Sequence, residues 1–245
     1  MIRRVASFAL VAVMTLSAAD WEWNLPPGFP RPVVPPENQM SVAKAELGRY
    51  LFYDVRLSVN GQQSCASCHR QELAFTDGLA RAKGTTGELH PRSSMSLVNV
   101  AYAPSLTWAN PAMDKLEEQA LVPMFGTDPV ELGLKGQEER VLDSLRKVEV
   151  YQRLFSAAFP GDPRPIRVDT IASAIAAFQR TIISTRSPYD RYRYGGDESA
   201  LSEAAKRGDK LFFSGEKAGC SQCHGGWNFS GSVRYAGGQK VESEF

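Results

Sequence analysis

The sequence predicts a mostly α-helical chain made of two similar units packed on each other. Three observations predict it. Apolar residues recur at helical spacing in several stretches, and no alternating apolar–polar run of useful length marks a strand. The hexapeptide Gly48-Arg49-Tyr50-Leu51-Phe52-Tyr53 returns as Gly208-Asp209-Lys210-Leu211-Phe212-Phe213. Each copy precedes a C-x-x-C-H pentapeptide: Cys65-Ala66-Ser67-Cys68-His69, then Cys220-Ser221-Gln222-Cys223-His224.

All four cysteines and two of the three histidines of the chain sit in these pentapeptides. C-x-x-C-H is the attachment signature of a c-type haem. Residues i and i+3 share one face of a helical turn, so both thiols reach one porphyrin edge as thioethers. The histidine that follows binds the iron as proximal axial ligand. Cys65, Cys68, Cys220 and Cys223 are therefore expected to hold two covalent haems, with His69 and His224 on the irons. Two disulfides would suit an exported chain, but do not call for a histidine after each pair. Paired C-x-x-C zinc sites usually lie about 15–20 residues apart, whereas roughly 150 residues separate these. The duplicated arrangement reads as two cytochrome-c-like haem units.

Residues 1–19 read as a signal peptide. Arg3 and Arg4 are its charged start, and Val5 to Leu16 is an apolar run too short to span a bilayer. Ser17-Ala18-Ala19 supplies small residues at the −3 and −1 positions, with cleavage before Asp20. Export agrees with haem attachment, which takes place beyond the membrane. No other apolar run reaches 18 residues, so no membrane span is expected. Removing Arg3 and Arg4 from the 28 basic residues leaves 26 against 27 acidic ones. That balance is no footprint for nucleic acid.

Residues 20–40 form a proline-rich arm with Pro26, Pro27, Pro30, Pro32, Pro35 and Pro36. It is expected to lie extended over the surface, pinned by Trp21, Trp23 and Phe29. Ser41 caps a helix to about Tyr53, with Val42, Ala45, Leu47 and Leu51 buried. Ala74 to Met95 reads as loop. Asp114 starts a helix, with Glu117 in a capping-box position, that stops at Pro123. Two further helices are expected over about 137–147 and 150–159. Asp169 caps the clearest helix, whose face Ile171, Ile175, Phe178 and Ile182 is plain core. Ser187 to Ser199 reads as a crossing segment. Ser202 caps the helix leading to the second pentapeptide. The expected domains are residues 41–195 and 196–245.

A peroxidase needs one iron position open and an acid/base group beside it to move a proton as the O–O bond breaks. Glu117, Glu118 and Glu131 are by themselves three carboxylates among many. Several ordered segments sharpen the reading: Leu47-Gly48-Arg49, Leu51-Phe52-Tyr53-Asp54, Arg56-Leu57-Ser58, Ser64-Cys65-Ala66-Ser67-Cys68-His69, Ala74-Phe75-Thr76-Asp77-Gly78, Leu116-Glu117-Glu118-Gln119-Ala120 and Pro129-Val130-Glu131. Together, from about residue 40 to 230, the chain resembles the bacterial di-haem cytochrome c peroxidase and MauG superfamily. The arm segment Trp23-Asn24-Leu25-Pro26-Pro27-Gly28-Phe29-Pro30 resembles the MauG-like branch that includes the methanobactin-associated di-haem enzymes.

The resemblance implies roles. Glu131 matches the distal acid/base glutamate, and Gln119 and Pro123 match the residues lining that pocket. The Cys65–His69 haem is then the peroxidatic one, and the second is its electron-transfer partner. Trp108 matches, within a one-residue slip, a tryptophan relay between the haems. Ser93 falls where the family places an asparagine of an inter-haem calcium site; serine is a poorer ligand, and most other ligands there are backbone carbonyls. Where some members carry a distal histidine, the aligned residue is Thr85 and not His90. The second haem's sixth ligand, a methionine or tyrosine, lies many residues beyond the motif in the family. This chain stops at Phe245, 21 residues after His224; Tyr235 is too close and no methionine follows. The second unit is therefore expected to be incomplete, from a C-terminally truncated chain.

The function this implies is a periplasmic di-haem peroxidase-type oxidoreductase. It would use hydrogen peroxide to oxidise a small electron-donor protein, a c-type cytochrome or cupredoxin. In the MauG-like manner it would oxidise a tryptophan of a partner protein instead. The alternative is a non-catalytic di-haem electron carrier.

Overall fold

A computed structural model describes residues 21–108 and 110–240. The expected signal peptide, residues 1–19, lies outside them, as do Asp20, Ala109 and residues 241–245. The described residues are mostly helical, as expected.

Helix α1, Val42–Tyr53, begins where Ser41 Oγ accepts the Lys44 N–H at 3.1 Å, the expected cap. Ala45, Leu47, Gly48, Leu51 and Phe52 are buried on it; Val42, read as core, is half exposed. Helix α2, Cys65–Cys68, is one turn, closed by a capping box between Ser64 and Ser67.

Helix α3 is Leu116–Phe125. It starts two residues after Asp114 and runs through Pro123, where a stop was expected. Proline removes one helical hydrogen bond, and outside partners hold the last turn. Leu132 N–H donates to Pro123 O at 2.9 Å and Leu134 N–H to Met124 O at 2.8 Å. The same two bonds lay residues 131–134 along the end of α3.

Helices α4, Glu138–Arg146, and α5, Glu149–Ala158, bury Val141, Leu142 and Leu145, then Tyr151, Phe155 and Ala158. Helix α6, Val168–Arg180, is capped at Arg167, with Asp169 in its first turn instead of at the cap. Residues 188–195 form helix α7, Pro188–Gly195, where a crossing was expected. Ser187 and Asp190 close a capping box there, and Gly196 ends it in the left-handed region. Helix α8, Glu203–Phe212, starts at the expected cap Ser202, whose Oγ accepts Ala205 N–H. A short antiparallel hairpin, β1 Val233–Tyr235 with β2 Gly238–Lys240, follows the second pentapeptide.

The core is the crossing of α1 and α6, flanked by α3 and α5. Gly48 makes it possible: a Cβ there would lie 1.8 Å from the carbonyl oxygen of Ala174. Leu47, Leu51, Phe52, Ile171, Ala174 and Ile175 fill the crossing and are each at most 1% exposed. A buried ion pair fixes α3 against α6. Arg180 Nη1 and Nη2 donate to Glu117 Oε1 and Oε2 at 2.7 and 3.0 Å. Asn38, at the end of the arm, donates to Glu117 Oε1 and to Ser173 O. Of the aromatic residues expected to pin the arm, Phe29 packs on the body of the chain, whereas Trp21 and Trp23 pack on each other. Pro30 O accepts the Tyr102 hydroxyl, Phe29 packs against Tyr194 and Trp227, and Arg31 O accepts Ala236 N–H.

Candidate haem site and its relatives

The α2 turn puts Cys65 and Cys68 on the wall of a pair of adjoining cavities. The larger is about 700 Å³ and the smaller about 60 Å³. Burial pushes the Cys65 thiol up to about 12, and the Cys68 thiol rises for the same reason. Both stand as neutral thiols on the wall of this space, where a porphyrin edge can lie.

His69 follows directly, and burial moves its imidazole below the usual range, favouring the neutral ring that ligates iron. Its Nδ1 lies 2.9 Å from Phe75 O, so Nδ1–H donates there and Nε2 is the nitrogen for a metal. Phe75 and Ala74 hold this carbonyl in place in left-handed backbone, φ 59° and 55°. Two consecutive non-glycine residues in that region are uncommon, and such strain gathers at functional sites. The Phe52 ring packs 6.4 Å from the His69 ring. Thiols, oriented imidazole and adjoining space fit a covalent haem.

The residues read as distal pocket converge on the same space. Gln119 and Glu131 line both cavities, and Pro123 lines the smaller one. Gln119 and Pro123 come from α3, and Glu131 from the segment tied to the end of α3. Burial raises the Glu131 carboxyl above the usual range, and the charge of His90 partly offsets it. Thr85 N–H donates to Glu131 O at 2.8 Å. Thr85 thus holds the glutamate's main chain, at the position where some relatives were expected to carry a histidine.

Trp108 and Ser93 lie together on the rim of the larger cavity. Trp108 is 55% exposed, its Nε1–H donates to Ser93 O at 3.2 Å, and the Arg92 guanidinium lies 5.8 Å from its ring. Asn228, Ser230 and Ser232, from beyond the second pentapeptide, line the same cavity. Among the described residues, no cluster of three or more His, Cys, Asp or Glu offers a separate metal site.

The second pentapeptide offers the same donor set on a 3-10 turn, Cys220–Gln222. Cys223 and His224 are exposed. Gly231 N–H donates to Cys223 O at 3.1 Å, and Phe212, Phe213 and Phe229 pack on one another.

One residue lining the site was not singled out in the sequence. Gln179 is 5% exposed and lines the smaller cavity, with Oε1 lacking a hydrogen-bond partner. Its place four residues after Ile175, on the face read as plain core, was the available signal. His90 lines both cavities although it falls outside the position of a distal ligand.

Comparisons with known proteins agree with this geometry. The chain is 38% identical over 215 residues to the methylamine utilization protein MauG of Methylorubrum extorquens, covering 88% of this chain and 58% of that protein. It is 33% identical over 196 residues to the cytochrome c551 peroxidase of Pseudomonas aeruginosa, covering 80% of this chain and 54% of the relative. Its fold matches the crystal structure of a MauG-like protein associated with microbial copper homeostasis, with a TM-score of 0.87 and 45% identity. That match covers 92% of this chain and 64% of the other. The chain therefore spans between about half and two-thirds of the length of these relatives. Residues 42–199, which contain the first pentapeptide, Gln119 and Glu131, match one family as a whole, and on that match the chain belongs to the di-haem cytochrome c peroxidase family.

Proposed function

We propose that the chain acts as a periplasmic di-haem oxidoreductase that reduces hydrogen peroxide. The observation that carries the reading is the convergence of Glu131, Gln119 and Pro123 on the space that Cys65, Cys68 and His69 also line. A haem held there by Cys65, Cys68 and His69 would supply the redox chemistry that cleaves the O–O bond. Glu131 takes a proton from the near peroxide oxygen and returns it to the departing one; burial shifts its carboxyl upward, in the direction this exchange needs. The Gln119 amide orients the peroxide, and Pro123, with no N–H, closes the pocket with an apolar wall. Phe75 O keeps the His69 imidazole aligned throughout. Each peroxide consumes two electrons and two protons and yields two waters.

The electrons come from a small donor protein, a c-type cytochrome or cupredoxin, or from a tryptophan of a partner protein. Trp108 serves as the relay, since it lies on a cavity bordered by residues that follow each pentapeptide. A haem held by Cys220, Cys223 and His224 would serve as the redox partner of the first. The signal peptide, cleaved near Ala19, delivers the chain to the periplasm.

Glu131→Gln tests the reading. Peroxide reduction should fall by about 10²–10⁴-fold, with haem content by pyridine haemochrome unchanged. An unchanged rate removes Glu131 from the mechanism. Two low-spin haems inert to peroxide in the unaltered protein would make it an electron carrier instead.

A further inference from the structure

We propose, on the reading of Glu131 as acid/base, that His90 is the second proton-exchanging side chain of this site, carrying protons between solvent and the Glu131 carboxyl. Peroxide reduction draws two protons from water for each turnover, so a buried carboxyl needs a route by which protons reach it. His90 and Glu131 line both cavities. His90 is half-buried, while its neighbours Leu89 and Pro91 are exposed, so it joins the cavity to the surface. Imidazole is the side chain suited to exchanging protons near neutral pH.

Main-chain bonds fix the placement on both sides. The chain doubles back over residues 82–92: Ala82 N–H donates to Arg92 O, His90 N–H to Ala82 O and Gly84 N–H to Glu88 O, at 3.1, 2.8 and 3.0 Å. Arg81 closes the far side, its Nε donating to His90 O at 2.6 Å. The doubled segment is then laid on the glutamate. Thr85 N–H bonds Glu131 O, and Gly84 packs so tightly that a Cβ would lie 1.9 Å from Val130 O.

The two side chains feel each other, because burial raises the Glu131 carboxyl and the charge of His90 pulls it back. The other groups around them play different parts. Cys65 and Cys68 are neutral thiols here, and thioethers once haem is attached. Asp77 acts on Cys68 and His69. Lys83 stands on the rim of the smaller cavity, Arg92 on that of the larger, and Glu88 accepts from Val130 N–H on the outer side.

The test compares the haem-loaded full chain with its His90→Gln and His90→Lys variants. In His90→Gln the carboxyl loses its facing cation, so the acid limb of the pH–rate profile should move up by about one unit. That is about a tenfold lower rate at a fixed pH on that limb. Raising the concentration of phosphate buffer should restore part of the rate. An absorbance titration of the resting protein without peroxide should show the same displacement, and it reads the pair even if the protein does not reduce peroxide. His90→Lys keeps a cation and should leave the titration near that of the unaltered chain, with a slowed, buffer-restorable rate. An unmoved titration in His90→Gln overturns the proposal, as does an equal displacement in both variants. A changed resting spectrum at neutral pH also overturns it, since that would mark His90 as an iron ligand.

Discussion

Leu51 and Leu211 hold the same place in the two copies of the repeated hexapeptide, yet Leu51 is 0% exposed and Leu211 47%. The contrast continues through both units. Gly48 touches Ala174 across a helix crossing, whereas a Cβ on its counterpart Gly208 would meet nothing within 4 Å. His69 is anchored through Nδ1 and packed near Phe52, whereas His224 is exposed. A pentapeptide alone therefore provides the attachment chemistry but no surroundings. In the first unit the surroundings come from α1, α3 and α6, none of which belongs to the motif.

Substitutions in paired positions would sharpen or break this contrast. Leu51→Ala should destabilise the chain by about 2–5 kcal/mol, as core truncations do. Leu211→Ala should cost about 0.5 kcal/mol, as at a surface position. Denaturant midpoints measure both, and similar losses would mean that the second helix is packed as firmly as the first. Gly48→Ala should cost about 1–3 kcal/mol or more by overpacking the crossing. Gly208→Ala has room for its methyl group and should stabilise α8 by about 0.5–1 kcal/mol. Opposite signs in thermal unfolding are the expected outcome. Ser41→Ala and Ser202→Ala each delete one helix cap and should cost about 1 kcal/mol each. Unlike the first two pairs, these should agree, because a cap is a local interaction indifferent to the core.

The remaining expected effects are in pH dependence, and they too have opposite signs. Burial pushes the Glu117 carboxyl up, but the Arg180 hydrogen bonds and charge, helped by Asn38, outweigh it and hold the group below the usual range. Its contribution is full above the unfolded value of about 4.3 and is lost as pH falls through the lower folded value. Glu131 is raised, so its contribution is full below that unfolded value and is lost as pH rises through the folded one. Glu117→Gln should therefore weaken the chain at neutral pH and flatten its acid sensitivity. Glu131→Gln should strengthen the chain at neutral pH while slowing peroxide reduction. Urea midpoints recorded against pH would show both.

The legible parts of this molecule were those written in short-range pattern. Ser41 and Ser202 announce their helices, and the duplicated pentapeptide announces its chemistry. Glu131 drew attention only through a resemblance to a family, because an isolated glutamate after Pro129-Val130 carries no periodic signal; the structure adds that it lines both cavities. Helix α7 was missed because its sequence shows no apolar stripe; Pro188 at its start, the Ser187–Asp190 capping box and Gly196 at its end are its local marks. The end of α3 was misjudged because the bonds that let it pass Pro123 come from residues 132 and 134, beyond any helical window. Gln179 was hidden by its own face, where a polar residue continues an apolar row.

The acceptor that orients the His69 imidazole is a main-chain oxygen. Every amino acid placed at position 75 carries it, so no change of side chain there can delete the bond. Substitution can only alter how readily the backbone keeps its left-handed turn, easily for asparagine or glycine and poorly for a β-branched residue. The tautomer of His69 is thus shielded from most point mutations at its own partner, and inheritance guards a torsion angle in place of a side chain.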